Sequence, residues 1–236
     1  MPHSWALTDI GAVRKHNEDN MLARPDIGLW VVADGAGGHD AGEVASGMIV
    51  DALSRLPTNL NAGALLASTR LTISQVHTAL QQEALQRGGN RIIASTFVGL
   101  IVRNQYFACL WAGDSRAYLL RQGRLQQITR DHSLVQELVD AGSLSPADAE
   151  GHPHANIITR AVGADGEVCE LDKVIGQTQP GDRFLLCSDG LNKTLSDQEI
   201  QSLLGVPDGV PPTELLIHAA LARHADDNVT AVVVEV

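Results

Sequence analysis

Aromatic side chains are scarce in this 236-residue chain, which has three Trp, two Tyr and three Phe. Basic residues are also outnumbered, with 17 Lys and Arg against 28 Asp and Glu and a formal net charge of -11. Nucleic-acid surfaces need a basic footprint and often aromatic stacking platforms, so both shortages argue against a nucleic-acid partner. No apolar run approaches the roughly 20 residues of a membrane span. The first segment, Pro2-His3-Ser4-Trp5-Ala6-Leu7, lacks the charged start and apolar stretch of a secretory signal. A soluble cytoplasmic protein, with no membrane association, is therefore expected. Cysteine is limited to Cys109, Cys169 and Cys187, an odd number with two inside apolar runs, which predicts buried reduced thiols and no disulfide framework. No Pro/Ser-rich linker or repeat divides the chain, so residues 1–236 read as a single domain.

Several phosphate-handling motifs are missing as well. Gly35-Ala36-Gly37-Gly38-His39-Asp40 lacks the third glycine of a dinucleotide fingerprint, and no glycine loop ends in Gly-Lys-Ser/Thr. Cys187 has Lys193 six positions on, where a cysteine-phosphatase loop requires arginine. No Asp-x-Asp pair supplies an aspartyl-phosphate route.

What the chain does contain is three aspartates at the edges of apolar runs: Trp30-Val31-Val32-Ala33-Asp34-Gly35, Phe184-Leu185-Leu186-Cys187-Ser188-Asp189-Gly190, and Asp227-Asn228 leading into Val229 to Val234. A short apolar run bounded by a turn signal reads as a buried strand. A carboxylate beside a core is costly unless paired, hydrogen-bonded or coordinated, and basic residues near these positions are few. Mg²⁺ and Mn²⁺ prefer such oxygen donors. Asp-Gly alone is also a common turn former, so one such dipeptide decides nothing.

The remaining pattern predicts α+β. Strands are expected at 4–10, 28–33, 97–102, 106–111, 116–121, 125–128, 174–178, 183–187 and 229–236. Helical spacing of apolar residues covers 41–56 and 61–87, the latter ended by Gly88-Gly89. Shorter helices are expected at 134–141, after Ser145-Pro146, after the capping box Ser196 to Glu199, and at 213–223. Residues 132–160, with Gly151-His152-Pro153-His154-Ala155-Asn156, read as a surface flap that carries substrate choice.

Six segments in order extend the metal reading: Thr8 to Asp19, Ala33 to His39, Gly113-Asp114-Ser115-Arg116, Thr129-Arg130-Asp131-His132, Cys187 to Leu191, and Asp227 to Thr230. Together they resemble the metal-dependent serine/threonine protein phosphatases of type 2C, the PPM family, in its compact bacterial form. The resemblance covers nearly the whole chain and implies an αββα sandwich of two antiparallel sheets flanked by helices. It implies two Mn²⁺ or Mg²⁺ ions, with Asp34 bridging them, the Gly35 carbonyl on the first, Asp189 and Asp227 on the second, and Glu18 and Asp19 nearby through water. A hydroxide bridging the metals would attack phosphoserine or phosphothreonine, Arg14 would clamp the phosphate, and His39 would protonate the leaving oxygen. Asp131 with Asp189 would hold a third ion, and Asp114 would be mainly structural. The implied partners are phosphorylated proteins, with a bacterial Ser/Thr kinase in opposition and a monomeric enzyme. Ala36 and Ile93-Ala94 depart from common family residues as packing changes that spare the metal ligands, and Asp226 departs by adding negative charge near the second metal, which would alter its affinity. A metal-binding regulatory module without turnover and a small-ester hydrolase are the competing readings.

Overall fold

The computed structural model describes residues 2–37, 41–88, 92–149, 151–206 and 209–236. Eleven strands are described: β1 (His3–Asp9), β2 (Asp19–Arg24), β3 (Leu29–Ala36), β4 (Ala94–Ser95), β5 (Phe97–Arg103), β6 (Tyr106–Ala112), β7 (Arg116–Arg121), β8 (Arg124–Gln127), β9 (Asp172–Gln177), β10 (Arg183–Cys187) and β11 (Val229–Glu235). The helices are α1 (Ala41–Ser54), α2 (Ala62–Arg87), α3 (Leu134–Asp140), α4 (Pro146–Ala149), α5 (Asp189–Asn192), α6 (Asp197–Leu204) and α7 (Pro212–Ala222). One sheet runs β1-β11-β10-β7-β8 and the other β2-β3-β5-β6-β9, with β4 added to β3. Every pairing is antiparallel.

Side chains alternate across a strand, and in β3, β5, β6, β7, β10 and β11 both faces are buried, which is why these strands read as apolar runs. In β3, Leu29, Val31 and Ala33 face α1 and α2, packing with Ile49, Leu53, Ile73 and Leu80. Trp30 and Val32 face the other sheet. In β10 and β11, Leu185, Val229, Ala231 and Val233 pack under α6 and α7. Phe184, Leu186, Val232 and Val234 fill the space between the sheets. The result is four layers in the order α, β, β, α, as the resemblance implied.

Phe184 is 1% exposed at the centre of that inner layer, its ring 5.0 Å from Phe107. Truncating a buried Phe costs about 3–5 kcal/mol. Phe184→Ala should therefore lower the melting temperature by roughly 10 °C, at about 2–4 °C per kcal/mol for a chain of this size. Differential scanning calorimetry checks this.

Helix ends follow the local chemistry. Asn61 caps α2 by accepting from the Ala64 N–H at 2.8 Å, and Gly88 ends it at φ 72°. The Ser196–Glu199 capping box opens α6. Residues 132–160 form α3, α4 and turns, and both ends are tied together. The Leu134 N–H donates to the Ile157 carbonyl and the Thr159 N–H to the His132 carbonyl, each at 2.9 Å. All three cysteines are free and buried. No helix among the described residues is long and apolar enough to cross a membrane.

Strands β2 and β3 differ from expectation, and the short helix α5 was not expected. Strand β2 was not expected, because Asp-Asn-Met-Leu-Ala-Arg has no apolar run; it is an edge strand with one partner. Strand β3 continues to Ala36, so Asp34 lies inside a strand rather than leaving one.

Candidate metal centre

The alternation that builds the core also aims the carboxylates. Asp34 is in phase with Trp30 and Val32, so it points toward the space between the sheets. Asp19 of β2 stands directly opposite Asp34 in the ladder, on the same face. Directly opposed like charges are destabilising in a sheet, which makes the pair costly without a cation. From the other sheet, β10 ends just before Ser188 and Asp189, and Asp227 precedes β11. The adjacent ends of β10 and β11 are joined by the Ser188 N–H donating to the Thr230 carbonyl at 3.1 Å.

The two sheets are laced together at this end. Asp19, almost wholly buried, accepts through Oδ2 from Ser188 Oγ at 2.6 Å and Thr230 Oγ1 at 2.7 Å. Asn228 donates to the carbonyls of Ile10 and His16 and accepts from the Glu18 N–H. Thr96 Oγ1 accepts from the Asp34 N–H at 3.0 Å and bonds Ser115 Oγ at 2.7 Å. Ser188, Thr230, Asn228, Thr96 and Ser115 thus fix the candidate ligands. For Ser115, Ser188, Asn228 and Thr230 the only sequence signal was their presence in the quoted segments, and Thr96 lies outside them.

The glycines after Asp34 and Asp189 are required by close backbone approach. A Cβ on Gly35 would lie 2.1 Å from the Gly42 carbonyl oxygen, and one on Gly190 2.1 Å from that of Asn228. Glu18 packs against this region, its carboxyl carbon 2.7 Å from where a Gly42 Cβ would be.

Electrostatics show the convergence. Burial raises the Asp34 carboxyl well above the usual range, and Asp19, Asp189, Asp114 and Asp227 raise it further. Burial pushes Asp19 up to about 7 against its two hydroxyl donors, with Asp189 and Asp227 adding to the rise. Cations answer part of this charge. Arg14 Nη2 donates to Asp227 Oδ2 at 2.7 Å, and its guanidinium also feels Glu18 and Asp34. Lys193 Nζ bonds Asp189 Oδ2. Among the described residues, no three carboxylate, imidazole or thiol side chains are already gathered as a ligand set. The donor chemistry nevertheless fits hard divalent cations: several carboxylates, crowded and partly buried, with too few cations to neutralise them.

Asp131 and Asp114 sit in different surroundings from those the resemblance implied. The Asp131 carboxylate is taken up by Arg116, whose Nε reaches both oxygens at 3.0 Å and Nη2 reaches Oδ2 at 2.7 Å, and by Gln127 Nε2 at 3.0 Å. The pairing of β7 with β8 brings Arg116 and Asp131 together, so Asp131 serves a structural ion pair. Asp114 is 4% exposed, and its Oδ1 has no hydrogen-bond partner among the described residues. Burial, followed by repulsion from Asp189, pushes Asp114 up to about 7. It is a member of the acidic cluster, while the Arg116 guanidinium is taken by Asp131 and Tyr118. His39, the expected general acid, lies outside the described residues.

An αββα sandwich with crowded carboxylates where the two sheets meet places the chain in the class of metal-dependent phosphatase folds. The family model for protein phosphatase 2C matches residues 13–227, and the chain belongs to that family. Among curated relatives it is similar to the serine/threonine protein phosphatase PstP of Mycobacterium tuberculosis, 37% identical over 231 residues, covering 98% of this chain. The match takes in 44% of PstP, so the chain spans less than half the length of that relative. Among solved structures it resembles PppA of Pseudomonas aeruginosa, described as a key regulatory component of T6SS, with 46% identity, a TM-score of 0.91, and 99% of this chain and 97% of that one covered. The catalytic domain of PstP in complex with two manganese ions superposes with a TM-score of 0.87 at 35% identity, covering 99% of this chain and 97% of that one.

Proposed function

We propose that this protein is a metal-dependent phosphatase acting on phosphoserine and phosphothreonine in proteins. The observation that carries the reading is the convergence of Asp34, Asp189 and Asp227 on one end of the sandwich, with Asp19 and Asp114 beside them and Arg14 above. Asp34, the Gly35 carbonyl, Asp189 and Asp227 would hold two divalent cations, Mn²⁺ or Mg²⁺, with Glu18 and Asp19 acting through water. When bound, such ions supply a water activated near neutral pH and positive charge for the phosphoryl oxygens.

The protein's own groups do the rest. Asp19, held by Ser188 and Thr230, keeps β2 in place opposite Asp34 and couples the two sheets at the reacting end. Arg14, half-exposed beside Asp227, can donate two parallel hydrogen bonds to phosphate oxygens. His39 is assigned the proton for the departing alcohol from the resemblance alone. A third ion would fit Asp114 and Asp189 rather than Asp131, which Arg116 already neutralises.

Arg14→Ala should raise KM for a phosphothreonine peptide about tenfold or more, because charge-assisted bonds to phosphate are among the stronger polar contacts. Two ions bound by calorimetry in both proteins would exclude a metal-loss explanation.

The reading is tested by phosphate release from a phosphothreonine peptide with Mn²⁺, Mg²⁺ or EDTA. Release that needs metal supports it. Metal binding without turnover on peptide or small ester would make the protein a regulatory module of the same fold, and preference for small esters would change the substrate class. The natural substrate is a phosphoprotein made by a Ser/Thr kinase.

A further inference from the structure

Lys193 joins three elements that the phosphatase reading alone does not connect. Its ammonium bonds Asp189 Oδ2, donates to Asn156 Oδ1 in the 132–160 segment at 2.7 Å, and lies 3.9 Å from Asp114 Oδ2. It is the C-cap residue of α5, the short helix that begins at Asp189, so helix geometry returns its side chain toward that aspartate. The side chain is 39% exposed. Although burial works against its charge, Asp189 and Asp114 strengthen it. Asp114, nine-tenths buried with an unpartnered Oδ1, has no other cation in reach among the described ion pairs.

We propose that the Lys193 ammonium is a built-in cation at the place between Asp114 and Asp189 where a third divalent ion would sit, and that it competes with that ion while tethering Asn156. The inference rests on the metal-dependent phosphatase reading. A third ion and the Lys193 contacts use the same two carboxylates, so they exclude one another. Ion entry expels the ammonium and releases Asn156, which links metal loading to the attachment of the 132–160 segment.

The test is Mn²⁺ binding by calorimetry, with electron paramagnetic resonance for stoichiometry, on the wild-type protein, Lys193→Met and Lys193→Arg. Wild type is expected to bind two ions tightly and a third at least tenfold more weakly than Lys193→Met does. Lys193→Arg, which keeps the charge, should behave as wild type. Equal stoichiometry and affinities in wild type and Lys193→Met overturn the inference, as do three tight ions in wild type. Absence of any divalent binding in wild type would instead remove the phosphatase reading itself. A second readout needs no variant: acylation of Lys193 by a succinimidyl ester, followed by mass spectrometry, should accelerate as Mn²⁺ passes the level that fills the first two sites. Unchanged labelling overturns the proposal.

Discussion

Asp34→Asn protein should fold, lose roughly 10³-fold or more in phosphopeptide turnover, and melt at a higher temperature than wild type in EDTA. Even residues that only orient metal ligands cost 10- to 100-fold in affinity or activity when removed, so the shared ligand should cost more. The gain in stability comes from the ladder: Asp34 faces Asp19 directly across β2 and β3, and Asp189, Asp114 and Asp227 add to the repulsion. Asparagine keeps the shape and removes the charge. A rise of about 3 °C or more is expected without metal, and with Mn²⁺ the order reverses because wild type gains more from the ion. Turnover within tenfold of wild type, or a lower melting point in EDTA with a native circular dichroism spectrum, would contradict the assignment of Asp34.

Without metal, wild type should be more stable at pH 5.5 than at pH 8. Asp19 and Asp114 are pushed up to about 7 in the folded protein and Asp34 lies well above its ordinary value of 3.8, whereas the unfolded chain releases these protons near pH 4. Between those limits the folded state binds more protons, so stability falls as pH rises. A loss of about 2 kcal/mol corresponds to roughly 4–8 °C in melting temperature. Saturating Mn²⁺ should abolish or reverse the trend, since the ligating carboxylates are then ionised at both pH values. Melting curves at the two pH values, with EDTA and with Mn²⁺, check this, and a metal-free protein that is more stable at pH 8 would show that the cluster is not repulsive.

Strands buried on both faces, the two long helices and the glycine end of α2 were legible because each is written in neighbouring residues. Asp34, Asp189 and Asp227 stood out for the same reason: a charge at the edge of an apolar run is a local anomaly. Strand β2 was not legible, since an edge strand with half-buried residues needs no apolar run, and its pairing with β3 is a fact of register. Asp19 was expected near the ions, but its place opposite Asp34 and under Ser188 and Thr230 depends on contacts more than 160 positions away. The surroundings of Asp114 and Asp131 have the same origin. Which carboxylate Arg116 neutralises is set by a hairpin alignment that local spacing does not encode. The Asp-Gly pairs carried a different meaning from the one their sequence suggests, because crowding by Gly42 and Asn228 is invisible before the chain is folded.

The order of the first sheet has a consequence for biosynthesis. Strand β11 is made after the other ten described strands, yet it lies inside its sheet, between β1 and β10. Until residues 229–235 emerge, the amino-terminal strand has no neighbour in that sheet, Asp227 has no scaffold, and Asp19 lacks its Thr230 donor. Pairings this distant in sequence form slowly. The nascent polypeptide therefore cannot assemble the complete carboxylate cluster until residues 227–235 have been made, which places catalytic competence late in the folding of this sandwich.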